Sequence, residues 1–294
     1  EHCPAGKPGM MCCNYFIFPF AQNCHMDCEY CFLQFYLNKH VMIIYANIEE
    51  MLEELEKVLE FKKSMIRVGT GEYADSLALD DLTGISEILV PFFAEQQNAT
   101  LELKTKTNNI SNLLNLKSCG KTVVSWSLSP EWIVNNFEHG TSSLVQRLEA
   151  ARQCAIAGYK IGFHLDPIIH YDGWQRGYEE LIGKVFDTVG SHPIEWISLG
   201  NLRITTDLKT MMRIRFPQSN VLSAEMVRSF DGRYRYPKQI RIHMYESIWN
   251  EILKYNFSQK LYLCMENPDV WQRVNVPKTS NYLLGVRSFV DQYL

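Results

Sequence analysis

Cys24, Cys28 and Cys31 stand in one short stretch, with three residues and then two between them. Thiolates are soft ligands that select zinc or iron-sulfur clusters over magnesium or calcium. Structural zinc takes four ligands, and no cysteine follows Cys31 at a matching short distance. A [4Fe-4S] cluster on three thiolates instead leaves one iron open to a ligand from outside the protein. Cys3, Cys12 and Cys13 crowd the irregular opening segment among Pro4, Gly6, Pro8 and Gly9. Together with Cys264 they would supply four soft ligands for a second cluster. The alternative is that they pack as small apolar residues of a loop.

The elements that must position these groups read as alternating strands and helices. Positions 15–20 form a continuous apolar strand, and the cysteine loop follows it directly. A helix over 48–61 carries Ile48, Met51, Leu52, Leu55, Val58 and Leu59 on one side. Strands are predicted over 65–68, 100–105, 122–128, 159–165 and 195–199, with helices over 82–94, 110–116, 143–157 and 177–189 between them. Gly158 is the expected left-handed cap of the 143–157 helix. Six repeats of this rhythm point to a partial parallel (β/α)6 barrel of the TIM type, whose chemistry sits at the carboxyl ends of its strands. There lie Gly69-Thr70-Gly71-Glu72, Lys106 and Ser127. His164 and Asp166 alternate with Phe163 and Leu165, which turns both polar side chains to one face of their strand, the barrel lumen.

The last third loses the rhythm. Helices are expected over 208–216 and 241–255, and a strand over 261–265. Between the helices Arg228, Arg233, Arg235, Lys238 and Arg241 interleave with Phe230, Tyr234 and Tyr236. Guanidinium groups contact phosphates and aromatic rings stack on exposed bases, so this segment is a candidate nucleic-acid contact; the other reading is a solvated basic face. The expected division is an irregular cysteine-bearing segment over 1–14, the barrel over 15–205, and a C-terminal extension over 206–294 that covers its open side.

With 294 residues, 46% hydrophobic and 21% charged, the chain belongs among ordinary globular proteins rather than disordered ones. No apolar run reaches membrane-spanning length, and the first residues do not read as a signal peptide. Nine cysteines are too few for a disulfide scaffold of this length. Thiolates that must stay reduced imply a reducing compartment, so a cytoplasmic protein is expected, and a monomer. A net charge of −4 gives no broad attraction to nucleic acid, which leaves only a local patch to bind it.

The spacing Cys24-x3-Cys28-x2-Cys31 with an aromatic residue next, Phe32, resembles the signature of the radical S-adenosylmethionine (SAM) enzymes. The resemblance implies that SAM binds the open iron and is cleaved, on receiving an electron, to a 5'-deoxyadenosyl radical. It implies an external electron donor such as flavodoxin or ferredoxin. On the same resemblance, the backbone of Gly69 and Gly71 and the carboxylate of Glu72 would receive the SAM ammonium group. Lys106 and Ser127 would contact SAM, and His164 and Asp166 would orient it or the substrate.

Within that superfamily, several blocks resemble spore photoproduct lyase and its relatives. They include Cys31-Phe32-Leu33-Gln34, Asn136-Phe137-Glu138-His139-Gly140-Thr141-Ser142, Arg147-Leu148-Glu149-Ala150-Ala151 and the Gly162 to Gly177 region. The resemblance implies hydrogen abstraction from a methylene-bridged thymine dimer in damaged DNA, fragmentation of the bridge, and return of a hydrogen atom. Tyr30 would correspond to a tyrosine tied to radical relay. Two positions depart from the family pattern. Phe32 stands where a tyrosine is expected, and residues 69–76 contain no cysteine where the hydrogen donor is expected, Glu72 falling in its place. Either another group, such as Tyr73 or a thiol from elsewhere, returns the hydrogen, or the same scaffold acts on a non-DNA substrate.

Overall fold

The computed structural model describes residues 9–13, 15–36, 41–62, 64–257, 261–274 and 287–288. Seven strands form one parallel sheet whose spatial order follows the chain: β1 (Phe16–Ile17), β2 (Ile66–Gly69), β3 (Ala99–Thr105), β4 (Thr122–Ser127), β5 (Lys160–Ile168), β6 (Ile194–Asn201) and β7 (Leu261–Leu263). Every neighbouring pair is parallel. The sheet curls toward a barrel without closing, and β1 and β7 are its edges.

Helices occupy the crossovers: α1 (Leu33–Tyr36), α2 (Ile48–Phe61), α3 (Ile85–Glu95), α4 (Glu131–Phe137), α5 (Leu144–Ile156) and α6 (Trp174–Val189). The C-terminal third adds α7 (Thr206–Arg215), α8 (Lys238–Leu253) and α9 (Pro268–Arg273). Leu101, Leu103, Val124, Trp126, Ile161 and Phe163 on the middle strands are fully buried. Continuous apolar strands of this kind belong in a sheet covered on both faces. Local chemistry sets the helix limits. Ser143 and Gln146 close a reciprocal capping box at the start of α5, and Gly158, at φ +92°, ends its turn as expected.

The partial barrel expected from the sequence is present, with differences in detail. The 110–116 helix is only a 3-10 turn at Leu113–Asn115. The 82–94 helix starts at Ile85, because Gly84 in the left-handed region separates it from a single turn at Asp80–Thr83. The first strand is laddered only at Phe16–Ile17. A seventh strand, β7, joins the sheet from the segment expected to be an extension, pairing Ile197 with Leu261 and Leu199 with Leu263.

Candidate active site

The loop after β1 carries the three spaced cysteines. It is tied to the rest of the molecule by a two-residue antiparallel pairing of Asp27–Cys28 with Glu138–His139. His139 Nε2 meets the Glu29 carboxylate at 3.0 Å on the same pairing. Cys24, Cys28, Tyr30 and Cys31 all line a cavity of about 380 Å³ at the carboxyl ends of the strands. That volume suits a small-molecule ligand. Gly71 and Glu72 from the turn after β2, Lys104 and Lys106 from β3 and its exit, Ser127 from β4, and His164 and Asp166 from β5 line the same cavity. A β-carbon on Gly71 would lie 2.8 Å from Lys104 Cβ and 3.0 Å from its carbonyl, so only glycine lets this turn lie against β3.

One buried carboxylate, which the sequence reading left without a role, organises the side under the cysteine loop. Glu138 Oε1 accepts from the Tyr30 hydroxyl, from Lys106 Nζ at 2.7 Å and from Ser129 Oγ at 2.8 Å. Its Oε2 accepts from Arg147 Nη2 at 2.6 Å. Lys106 also donates to the Tyr30 oxygen at 2.6 Å. Arg147 is itself fixed by the carbonyls of Ser142 and Ser127 and by Thr141 Oγ1. Burial works against ionisation of Glu138, but Lys106 and Arg147 outweigh it and lower the carboxyl to about 2. Burial and the adjoining Glu138 charge raise Tyr30 well above an ordinary phenol.

A second buried carboxylate anchors the floor. Glu102 receives Ser125 Oγ at 2.8 Å, meets His164 Nε2 at 2.6 Å and pairs with Arg67 at 3.4 Å. Burial opposes its charge, yet Arg67 and His164 together hold it well below the usual carboxylate range. Near the rim, Glu72 accepts from the Tyr15 hydroxyl at 2.7 Å, with Lys104 Nζ at 3.8 Å. Asp75 fixes the turn beneath. Its carboxylate takes the backbone N–H groups of Leu77, Ala78 and Lys106 and the hydroxyl of Thr105.

Other expectations meet a different arrangement. Tyr73 does not face the cavity; its ring stacks on Tyr36 and lines a neighbouring hollow with Gln22 and Tyr45. In the basic segment, Arg235 and Tyr236 are buried rather than presented to a ligand. Arg235 is paired with Asp231 and donates to the Met265 carbonyl, while the Tyr236 hydroxyl accepts from His170 N. Arg241 is likewise buried against Glu266 at 2.9 Å. Lys238 pairs with Asp269, and Tyr234 lies under Lys209 Nζ at 4.4 Å. Arg228 is exposed on a small hairpin, and Arg233, from the same hairpin, reaches the cavity. Of the cysteines considered for a second cluster, Cys13 and Cys264 come together in the cavity wall. Cys12 lies in a short strand, Met11–Cys12, and Cys3 falls outside the described residues.

The donor set of the loop fits an iron-sulfur cluster. The Cys24 sulfur receives the backbone N–H groups of Met26 and Asp75, and the Cys31 sulfur receives that of Leu33. Hydrogen bonds of this kind stabilise cluster thiolates. Burial pushes the Cys24 thiol up to about 12 and also raises Cys28 and Cys31, while Lys106 opposes the rise at the last two. Among the described residues, no three His, Cys, Asp or Glu side chains converge closely enough to hold a single metal ion. The three thiols line one cavity.

A parallel half-barrel bearing these cysteines in the loop after its first strand defines the radical SAM class. The family profile described as spore photoproduct lyase matches residues 7–266. The chain belongs to the spore photoproduct lyase family. The spore photoproduct lyase of a Geobacillus species is 31% identical over 232 residues, covering 76% of this chain and 67% of that protein. That of Bacillus subtilis is 32% identical over 228 residues, covering 76% and 66%. The chain therefore spans about two thirds of the length of these relatives. A solved Cys-to-Ser variant of spore photoproduct lyase matches with a TM-score of 0.75 at 26% identity, over 83% of this chain and 74% of that one. Spore photoproduct lyase complexed with dinucleoside spore photoproduct gives 0.76 at 25% identity, over 85% and 75%.

Proposed function

We propose that this chain is a SAM-dependent radical enzyme that reverses a methylene-bridged thymine dimer in DNA. The observation that carries the reading is one cavity shared by Cys24, Cys28 and Cys31 with Glu72, Lys106, Ser127, His164 and Asp166, in a chain matched to the family over 7–266. A [4Fe-4S] cluster on the three thiolates, when bound, supplies the electron that cleaves SAM to methionine and a 5'-deoxyadenosyl radical. The protein's part is to hold the reactants and keep water out. Glu72 and the carbonyls of its glycine turn receive the SAM ammonium, since a cation at this point needs acceptors. Lys106 and Ser127 take the carboxylate, and Glu138 fixes the lysine for that task. His164 and Asp166 orient the remaining polar groups. Met26, Leu33, Leu202 and Met265 give the cavity an apolar lining that protects a radical.

A dimer inside a duplex reaches such a cavity only when flipped out of the stack. In this reading Arg228 and Tyr234 on the hairpin and Arg233 at the cavity hold the displaced strand, with Lys238 following on α8. The electron comes from a one-electron carrier of the flavodoxin or ferredoxin kind. The test is anaerobic incubation of reconstituted, reduced protein with SAM and an oligonucleotide carrying the bridged dimer. Recovery of two thymines with release of 5'-deoxyadenosine is expected. Release of deoxyadenosine with every dimer intact would contradict the assignment of substrate.

A further inference from the structure

Cys13 and Cys264 are 251 positions apart in the chain, yet both line one cavity. Met11 and Glu266 form an antiparallel bridge, with Met11 N donating to Glu266 O at 2.9 Å. Cys13 follows two residues after Met11 and Cys264 precedes Glu266 by two, so the bridge brings the two segments side by side. The two thiols share a hydrogen bond. Neither is in a disulfide, and both line the cavity that holds Cys24, Cys28 and Cys31. Cys264 is fixed from below by its backbone N–H on the Leu199 carbonyl at 2.7 Å, next to Asp166 and Arg203 in the electrostatics of the site.

We propose that this thiol pair is the hydrogen-atom donor of the reaction, with Cys264 the donating thiol and Cys13 the positioning partner. The inference rests on the radical reading above. A carbon radical left in the substrate after bridge cleavage needs a hydrogen atom from a weak X–H bond inside the cavity. Phe32 has no O–H, and 69–76 contains no thiol. Of the phenols in the cavity, Tyr15 donates to Glu72, Tyr30 is clamped between Glu138 and Lys106, the Tyr262 oxygen accepts from Arg67 at 3.2 Å, and Tyr36 is an exposed residue of the rim. In the step, the substrate carbon forms a C–H bond, the Cys264 S–H bond breaks homolytically, and the unpaired electron passes to sulfur. One electron from the one-electron carrier and one proton from solvent restore the thiol.

Two experiments separate this inference from the function it rests on. Mild diamide oxidation of the cluster-free protein, followed by peptide mapping, reads the geometry alone. A linked pair of peptides containing Cys13 and Cys264 is expected, and its absence would overturn the pairing. Turnover of the dimer substrate in D₂O reads the chemistry, because thiol hydrogens exchange with solvent. Deuterium in the released thymine is expected with the native chain. Cys264→Ser and Cys13→Ser, which keep a hydrogen-bonding group but have a strong O–H bond, should lower dimer reversal at least about tenfold while deoxyadenosine is still released. Reversal at the native rate by Cys264→Ser, or product without deuterium, would overturn the donor assignment and leave the enzyme's function standing. No dimer loss by the native chain would sink the function, and the donor role with it.

Discussion

The two sides of the cavity are built on opposite principles. Under the cysteine loop, Glu138 receives four donor groups, from Tyr30, Lys106, Ser129 and Arg147, and all of these are locked. Elsewhere in the same lining, Cys13 and Cys264 meet thiol to thiol, with no buried charge between them. A satisfied buried ion network is rigid and costly to disturb. A thiol pair gives little rigidity but can give up a hydrogen. On the proposed reading the contrast is a division of labour: one side fixes the loop and Lys106, the other serves as the reagent.

The largest effect that would break this comparison is on stability. Glu138→Gln leaves Arg147 and Lys106 short of a buried counter-charge and should cost about 3–5 kcal/mol. Cys264→Ser, by contrast, should cost on the order of 1 kcal/mol. Urea unfolding of the two variants measures the difference, and equal losses would erase the distinction between the walls. The same carboxylate sets an acid limit. Its folded pKa of about 2 lies below its ordinary 4.5, so its contribution is complete above about 4.5 and is lost as pH falls through about 2. Unfolding followed between those limits should show Glu138→Gln losing less stability on acidification than the native chain.

A smaller effect is expected at the rim. Glu72→Gln should weaken SAM binding by roughly tenfold, the scale of one charge-assisted hydrogen bond, while leaving reconstituted iron unchanged. Calorimetric titration and iron analysis on the same sample would show whether the two separate. The smallest concerns DNA. Arg228→Ala and Arg233→Ala should each reduce the slope of log affinity against log salt by about 1. An unchanged slope would remove them from the phosphate contacts. Arg235→Ala should act through unfolding instead, because its guanidinium lies inside against Asp231.

Much of the architecture was legible because it is periodic. Apolar strands and Gly158 after its helix act within a few residues. The cysteine loop was legible for the same reason. Glu138 was visible within its block but silent about its role, since its partners Tyr30 and Lys106 lie 108 and 32 positions away. Glu102 had a readable signal that was passed over. With Lys104 and Lys106 it continues a period-two series along β3, which turns all three to the cavity side. The basic segment misled for the converse reason. Composition shows Arg235 and Arg241 but not that Asp231 and Glu266 wait for them in the interior. The meeting of Cys13 with Cys264 joins segments 251 positions apart, which no local pattern announces.

The most direct measurement compares the native chain with Cys24→Ala after anaerobic reconstitution, following 5'-deoxyadenosine released and bridged dimers lost in the same reaction. The expected result is both events in the native chain and neither in the variant, whose remaining thiols cannot hold the cluster. Full deoxyadenosine release and dimer loss by Cys24→Ala would contradict the assignment of these three cysteines as the centre of the chemistry.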